Sequence, residues 1–410
     1  MCFMTFKPAF TICAIFILLP HLGWAGTAVP VEAPKPSETQ EKNNETSLTI
    51  YKDAALVKRK ILLALEAGSH LYKVDGIAET IHTPSLMLEL QSDSKSGQIQ
   101  EYSVKPDTNL EEASGSSEKF LEITIATKQP DAHNHLAFFY LFRNLGWRVD
   151  YTLELAPAYE SLALSAWIEV INQSGVDFNK ANIHLIESDV PSSVKEDSSV
   201  TAKSTVYSLP NPVSLGKNSA KKINWASSRG IQVQKQYRLC VGGKYLQDLH
   251  NKQNQPLIET WIIFSNSQKQ GLGLPLPAGQ AAFYSQGSNN NLVLLGMVDI
   301  PSAAVDQDIS LKIPSEGAKA VSTIETALEQ HEFKKLTDQA SEANYRLCLK
   351  NKGNKPVTIQ VILDLTVTNC KIIKENKAHT IDSLKQYSWS IEIPPESEVD
   401  LKYRLQVDLG

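Results

Sequence analysis

Apolar and polar residues alternate with a period of two over most of the chain beyond residue 47. Leu121, Ile123 and Ile125 are separated by Glu122 and Thr124, and Val149, Tyr151, Leu153 and Leu155 alternate in the same way. That period puts one face of a strand in a core and the other in solvent. The same reading gives strands opening at Leu48, Ile50 and Tyr51, at Ile61–Leu65 and at Leu71–Val74, with Gly68 as a turn. Leu86, Leu88 and Leu90 mark another, as do Ile99–Val104 and the aromatic run Leu136–Phe142. Residues 106–118 read as a loop. Leu162, Leu164 and Ala166 lead into Trp167–Ile171, closed by the turn Asn172-Gln173-Ser174-Gly175, with Ile183–Ile186 near it. The whole reads as an antiparallel meander.

A polar stretch over 191–204 places a domain boundary near residue 200. Beyond it come short strands, a Gly/Pro-dense loop from Gly271 to Gly279 and a second turn at Gly287 and Ser288. Val321, Ile324, Ala327 and Leu328 sit at helical spacing, so propensity alone predicts a helix over 320–340. The C-terminal part is clearer. Tyr345–Leu349 and Val357–Val367 flank the turn Asn351–Pro356, and Ser388–Ile393 and Val399–Val407 flank Pro394-Pro395. Tyr-Arg-Leu recurs at Tyr237, Tyr345 and Tyr403. Many short strands separated by such turns predict an all-β protein of two or three antiparallel β-sandwich, immunoglobulin-like domains. The expected division is an N-terminal β module at 47–130, the meander at 131–200 and a C-terminal sandwich at 201–410.

The first residues change the picture of where this protein works. Lys7, an apolar stretch from Ala9 to Leu19, and small residues at Gly23 and Ala25 fit a secretory signal peptide cleaved after Ala25. The apolar stretch is shorter than the roughly 20 residues that span a bilayer, and no later segment is apolar enough to do so. Residues 26–46 have the composition of a flexible tether. The expected location is periplasmic or secreted, and an oxidising compartment gives Cys240, Cys348 and Cys370 three pairings that sequence does not rank; buried small thiols are the simpler reading.

Composition is that of a globular chain: 410 residues, 42% hydrophobic and 21% charged. With 40 basic against 45 acidic residues the net charge is -5, which argues against a nucleic-acid partner. His133-Asn134-His135 after Asp131 places two imidazoles on one strand face, with no third ligand in sight. His331-Glu332 lacks the second histidine of a zincin helix, and Asp306 and Asp308 lack the rest of a calcium loop. Ser92–Lys95 and Ser214–Lys217 have Ser-x-x-Lys spacing in loop-like sequence. Glu187 and Asp189 form a carboxylate pair without an environment that separates their acidities. No catalytic set, no metal site and no cofactor is assigned. Leu272, Leu274 and Leu276, held among Gly and Pro, are the candidate binding residues, against the alternative that they cover the core. Trp147 and Trp167 are expected in the core.

Several segments taken in order carry a resemblance: Leu145–Tyr151, Val170–Phe178, Tyr207–Leu215, Gly271–Gly279, and the turns at Asn351 and Pro394-Pro395. Together they resemble the mucoidy-inhibitor-A-like proteins, bacterial envelope proteins with a C-terminal domain of unknown function. The resemblance implies an N-terminal β module followed by a larger β-sandwich part, and a long strand instead of a helix over 320–336. It implies no catalytic residues. Longer relatives carry a coiled coil between the two parts, and no sustained heptad pattern is present here. The resulting expectation is an exported, non-catalytic binding or structural module whose partner is an envelope protein or glycan; the alternative is an envelope hydrolase or metal-dependent enzyme acting on polysaccharide or peptide.

Overall fold

The structure, a computed structural model, describes residues 45–91, 97–106, 119–157, 159–190, 205–242, 255–286, 291–314, 323–337, 340–364, 369–381 and 386–408. The segments read from sequence as a signal peptide and most of a tether lie outside these residues. Among the described residues every long element is a strand, and none is an α-helix. The strands are numbered in chain order and form five sheets.

Sheet 1 runs β11 (Val206–Ser208), β10 (Phe178–Ile186), β1 (Glu45–Ile50), β2 (Ala55–Leu65), β7 (Asp131–Phe142) and β4 (Met87–Gln91), with β12 (Val213–Leu215) also on β10. Sheet 2 is β3 (Gly68–Ile77), β6 (Lys119–Thr127) and β5 (Gln98–Pro106). Sheet 3 is β13 (Ser219–Gln232), β9 (Ser161–Asn172), β8 (Leu145–Leu155), β16 (Gly279–Gln286) and β17 (Leu292–Ile300). Sheet 4 is β18 (Asp308–Lys312), β15 (Ile258–Ser265), β14 (Gln234–Gly242), β21 (Val357–Asp364), β24 (Tyr387–Ile393) and β23 (Thr380–Ile381). Sheet 5 is β19 (Ile324–Lys335), β20 (Ala340–Asn351), β25 (Ser397–Asp408) and β22 (Asn369–Glu375).

These sheets bury two apolar cores. The first takes Leu48, Val57, Phe138 and Tyr140 from sheet 1, Ile123 and Ile125 from sheet 2, and Tyr151, Leu164 and Ile168 from sheet 3. It extends to Ile262, Phe264 and Ile309 on β15 and β18. The second lies between the other half of sheet 4 and sheet 5, where Val361, Trp389 and Ile391 face Leu347, Leu401 and Tyr403. Sheet 4 therefore contributes to both cores and ties the two sandwiches together.

Three expectations change in detail. The stretch 131–200 is not one meander. β8 and β9 pair in register from Leu145↔Asn172 to Leu155↔Leu162, but β7 pairs β2 and β4, and β10 pairs β1. The chain crosses between two sheets because both Phe138–Phe142 and Val149–Leu155 carry an inward apolar row that a single sheet cannot cover. The sheets also run through the boundary drawn at residue 200, since β11 pairs β10 and β13 pairs β9. The second core starts in earnest only at Ile324, with β14 reaching into it from upstream. Lastly, three neighbouring pairs are parallel, β1–β10, β8–β16 and β14–β21, so the sheets are mixed.

Residues 324–335 form a strand, as the resemblance implied. The helical spacing of Ile324 and Leu328 is equally a period of two, and β20 pairs this segment along its whole length, bulging between His331 and Phe333. Tertiary pairing outweighs local propensity here.

Candidate functional site

The Gly271–Gly279 loop closes over the first core. Asn266, fully buried just after β15, donates its amide to the carbonyls of Leu274 at 2.8 Å and Ala304 at 2.9 Å. The loop needs left-handed backbone at Gly271 (φ 73°) and Gly273 (φ 92°), where a side chain would be strained. Leu276 and Ala303 exchange backbone hydrogen bonds at 2.9 and 2.8 Å. Trp225 Nε1 donates to the Pro275 carbonyl at 2.9 Å, and the Tyr151 hydroxyl to that of Pro277 at 2.6 Å. Glu187 accepts from the Tyr207 hydroxyl at 3.0 Å and from the Ala278 N–H. Burial, reinforced by the charge on Glu187, raises the pKa of both phenols above the ordinary range, so they remain donors at neutral pH.

This geometry revises the candidate leucines. Leu276 is 0% exposed, and Leu272 packs partly buried against the same core. Only Leu274 faces solvent, at 45%. The loop is fastened by too many hydrogen bonds to offer three leucines to a ligand; it is a lid on the sandwich. Leu276→Ala is expected to cost about 2–5 kcal/mol in denaturant unfolding, while Leu274→Ala stays within about 0.5 kcal/mol. Equal effects would contradict this placement.

The outer face of sheet 5 carries a different feature, a concavity of about 440 Å³. Arg346, Lys374, Lys402 and Arg404 line it, with Glu375 as the one acidic lining residue. Their placement follows from strand parity. In β20 and β25, Tyr345, Leu347, Tyr403 and Leu405 point into the second core, so Arg346 and Arg404 point out. Arg346 is oriented by Asp400 at 2.9 Å and Glu398 at 3.5 Å. Arg404 donates Nε to Asn344 Oδ1 at 2.6 Å, and Lys402 sits 3.5 Å from Asp400. Glu375 accepts from Trp389 Nε1 at 2.9 Å and meets His379 Nδ1 at 3.0 Å. The repeated Tyr-Arg-Leu was the sequence signal for this site, since alternation places each arginine opposite its buried neighbours. In the third copy Arg238 stacks 4.3 Å over Trp261 on sheet 4.

The remaining sequence candidates do not converge. The side chain of His133 lies outside the described residues, while His135 stands half-buried in β7 opposite Leu62. His331 is on a strand, meets Glu329 at 3.2 Å and lines the sheet 5 concavity. Asp306 occupies a turn with φ 63°, and Ser214 Oγ accepts from the Lys180 N–H at 3.0 Å. Ser92–Lys95 lies outside the described residues. Cys240 and Cys348 form no disulfide in the structure, and neither is the buried thiol expected of it, since both lie on the strand parity opposite the core, Cys240 exposed and Cys348 partly so; the Cys370 side chain is outside what is described. Cys348 offers its sulfur within 4.8 Å of oxygens of Glu398 and Asp400. Burial and the Glu398 hydrogen bond push that thiol up to about 11, and Arg346 already neutralises both carboxylates.

Residues 136–409 match the family described as "Domain of unknown function (DUF4139)". The chain belongs to the DUF4139 family. The domain takes in sheets 3, 4 and 5, together with Leu136–Phe142 of β7 and β10–β12 of sheet 1, and so includes both the lid and the concavity. No curated protein matches the chain. Among the described residues no helix is long and apolar enough to cross a membrane.

Proposed function

We propose that this DUF4139 protein is exported to the bacterial envelope and acts there by binding, without catalysis, a ligand that carries negative charge. The concavity on sheet 5 is the observation that supports this reading: four guanidinium and ammonium groups line it, Asp400 and Glu398 orienting Arg346, Asp400 lying beside Lys402 and Glu342 beside Arg404, while Lys374 has no carboxylate partner among the described residues. Arg346 and Arg404 are held by neighbours in β20 and β25, so little side-chain entropy is lost when an anion docks. The signal sequence supports export, and the resemblance to mucoidy-inhibitor-A-like proteins supports a surface polysaccharide context.

Titration of the mature chain with polygalacturonate by calorimetry tests the ligand class. Binding is expected to weaken as salt rises and to fall at least about tenfold in Lys374→Glu/Lys402→Glu, in which two like charges replace attraction. No binding, or binding indifferent to those substitutions, would refute the reading.

A further inference from the structure

The outer face of sheet 3 carries a second feature that the sheet 5 concavity does not explain. Leu162, Leu164, Ala166, Ile168 and Val170 of β9 all point into the first core. Trp167 falls on the opposite parity and stands 40% exposed. This departs from the core position expected for it; Trp147, by contrast, packs against the core as expected. An indole on an open sheet leaves apolar ring surface in water, a cost that burial under a ligand would recover.

The indole N–H is also unused. Trp147, Trp225, Trp261 and Trp389 each direct theirs to a carbonyl or carboxylate oxygen. Trp167 alone has no such partner among the described residues. It is an amphipathic ring with both its apolar face and its donor available.

Its neighbours fit one ligand chemistry. Register places Asn224 of β13 and Asp150 of β8 directly beside Trp167, and Gln280 of β16 beyond Asp150. Asn224 and Gln280 are exposed, and Asp150 is partly so. One register step away, Arg148 and Lys222 pair with Asp150 and Glu169 at 2.5–3.6 Å, leaving the patch without net charge. A flat ring flanked by planar carboxamide and carboxylate groups, on a neutral field, matches a sugar: axial C–H bonds pack on the indole while adjacent hydroxyls meet groups that accept and donate in pairs. A polyanion would gain nothing from a balanced patch, and the other exposed apolar residues of the sheet, Leu292–Leu294 and Met297, lie on the edge strand β17, three strands from Trp167.

We infer that Trp167, with Asp150, Asn224 and Gln280, forms a platform for neutral saccharide rings on the outer face of sheet 3. This site is separate from the sheet 5 concavity and stands whether or not that reading does.

The test is affinity electrophoresis of the mature chain through gels cast with hydroxyethylcellulose, laminarin or dextran, neutral glucans of differing linkage. Retardation is expected in at least one gel. It should persist at about 0.5 M salt, where charge attraction is largely screened. Trp167→Ala should weaken it at least about tenfold, as truncation of an aromatic anchor does, while Trp167→Tyr retains most of it. Lys374→Glu/Lys402→Glu should leave it unchanged, and Trp167→Ala should leave polygalacturonate binding unchanged. Absence of retardation in all three gels would overturn the inference, as would equal retardation of Trp167→Ala. So would a lower oligomeric state of that variant than of the parent in sedimentation, which would assign the ring to self-association.

Discussion

Replacement of Trp389 by alanine is expected to destabilise the second sandwich by about 4 kcal/mol, within the range for truncating a fully buried Trp. Trp389 is 1% exposed and is the largest fully buried side chain of the molecule's described part. Its ring stacks on Tyr403 at 5.5 Å across the two sheets, and its N–H reaches Glu375 at 2.9 Å and the Lys377 carbonyl at 3.0 Å. Truncation therefore removes the contact between sheets 4 and 5 and two hydrogen bonds at once. Trp389→Phe separates these contributions: it keeps most of the packing, loses the N–H, and should cost about 1–3 kcal/mol. The same variant has an acid signature. Burial alone would raise the Glu375 pKa, but hydrogen bonds from His379 and Trp389 outweigh it and hold the carboxyl below its ordinary range. A depressed carboxylate contributes stability above about pH 4.3, its unfolded value, and loses it as pH falls through the lower folded value. With one donor gone, that contribution shrinks, so urea midpoints of Trp389→Phe should fall less steeply below about pH 4 than those of the parent. A parallel pair of profiles would show that the indole donor does not stabilise the carboxylate.

Strand parity made much of this protein legible, and where it was followed it was sufficient. Leu121, Ile123 and Ile125 are buried as the alternation required, and the Val149–Leu155 row faces the first core. Parity bears equally on the two proposed sites. The row that buries Leu164 and Ala166 necessarily exposes Trp167, and the row that buries Tyr403 necessarily turns Arg404 outward. What alternation could not give is which strands pair. Nothing local to Leu145–Leu155 says that its second neighbour is β16, more than a hundred residues on and parallel to it. The packing of Gly279 against Val149 is equally invisible: a Cβ there would lie 2.4 Å from the Val149 carbonyl oxygen. The leucine loop misled for a related reason. Leu272, Leu274 and Leu276 look equivalent in sequence, and only the anchoring by Asn266 and Ala303 decides which of them is core.

Two buried asparagines should report the two cores separately. Asn172 ends β9 and Asn351 ends β20, and both are essentially inaccessible. Asn172 donates to the carbonyls of Val176 at 2.8 Å and Gly216 at 2.9 Å, and accepts from the Ser174 N–H at 3.1 Å. Asn351 donates to Lys355 at 2.8 Å and to Ile393 and Pro394 at 3.2 Å, and accepts from the Gly353 N–H at 2.9 Å. Each amide thus fastens its own turn to a neighbouring one. Alanine at either position strands several buried groups, an expected loss of roughly 3 kcal/mol. Aspartate is the sharper test at Asn351. It replaces a donor by an oxygen facing three carbonyls, so the folded state requires the neutral acid and its folded pKa must rise above the unfolded one. The stability of Asn351→Asp is then retained below the unfolded carboxyl value, about pH 3.9, and lost as pH climbs towards the folded value. At neutral pH it should be less stable than Asn351→Ala, and the order should narrow or reverse in acid. Hydrogen exchange resolved by peptide checks the locality: Asn351 variants should speed exchange in β20, β24 and β25 while β8 and β9 keep their protection, and Asn172→Ala should do the converse. Uniform acceleration in both sets would mean that sheet 4, which feeds both cores, couples them into one cooperative unit.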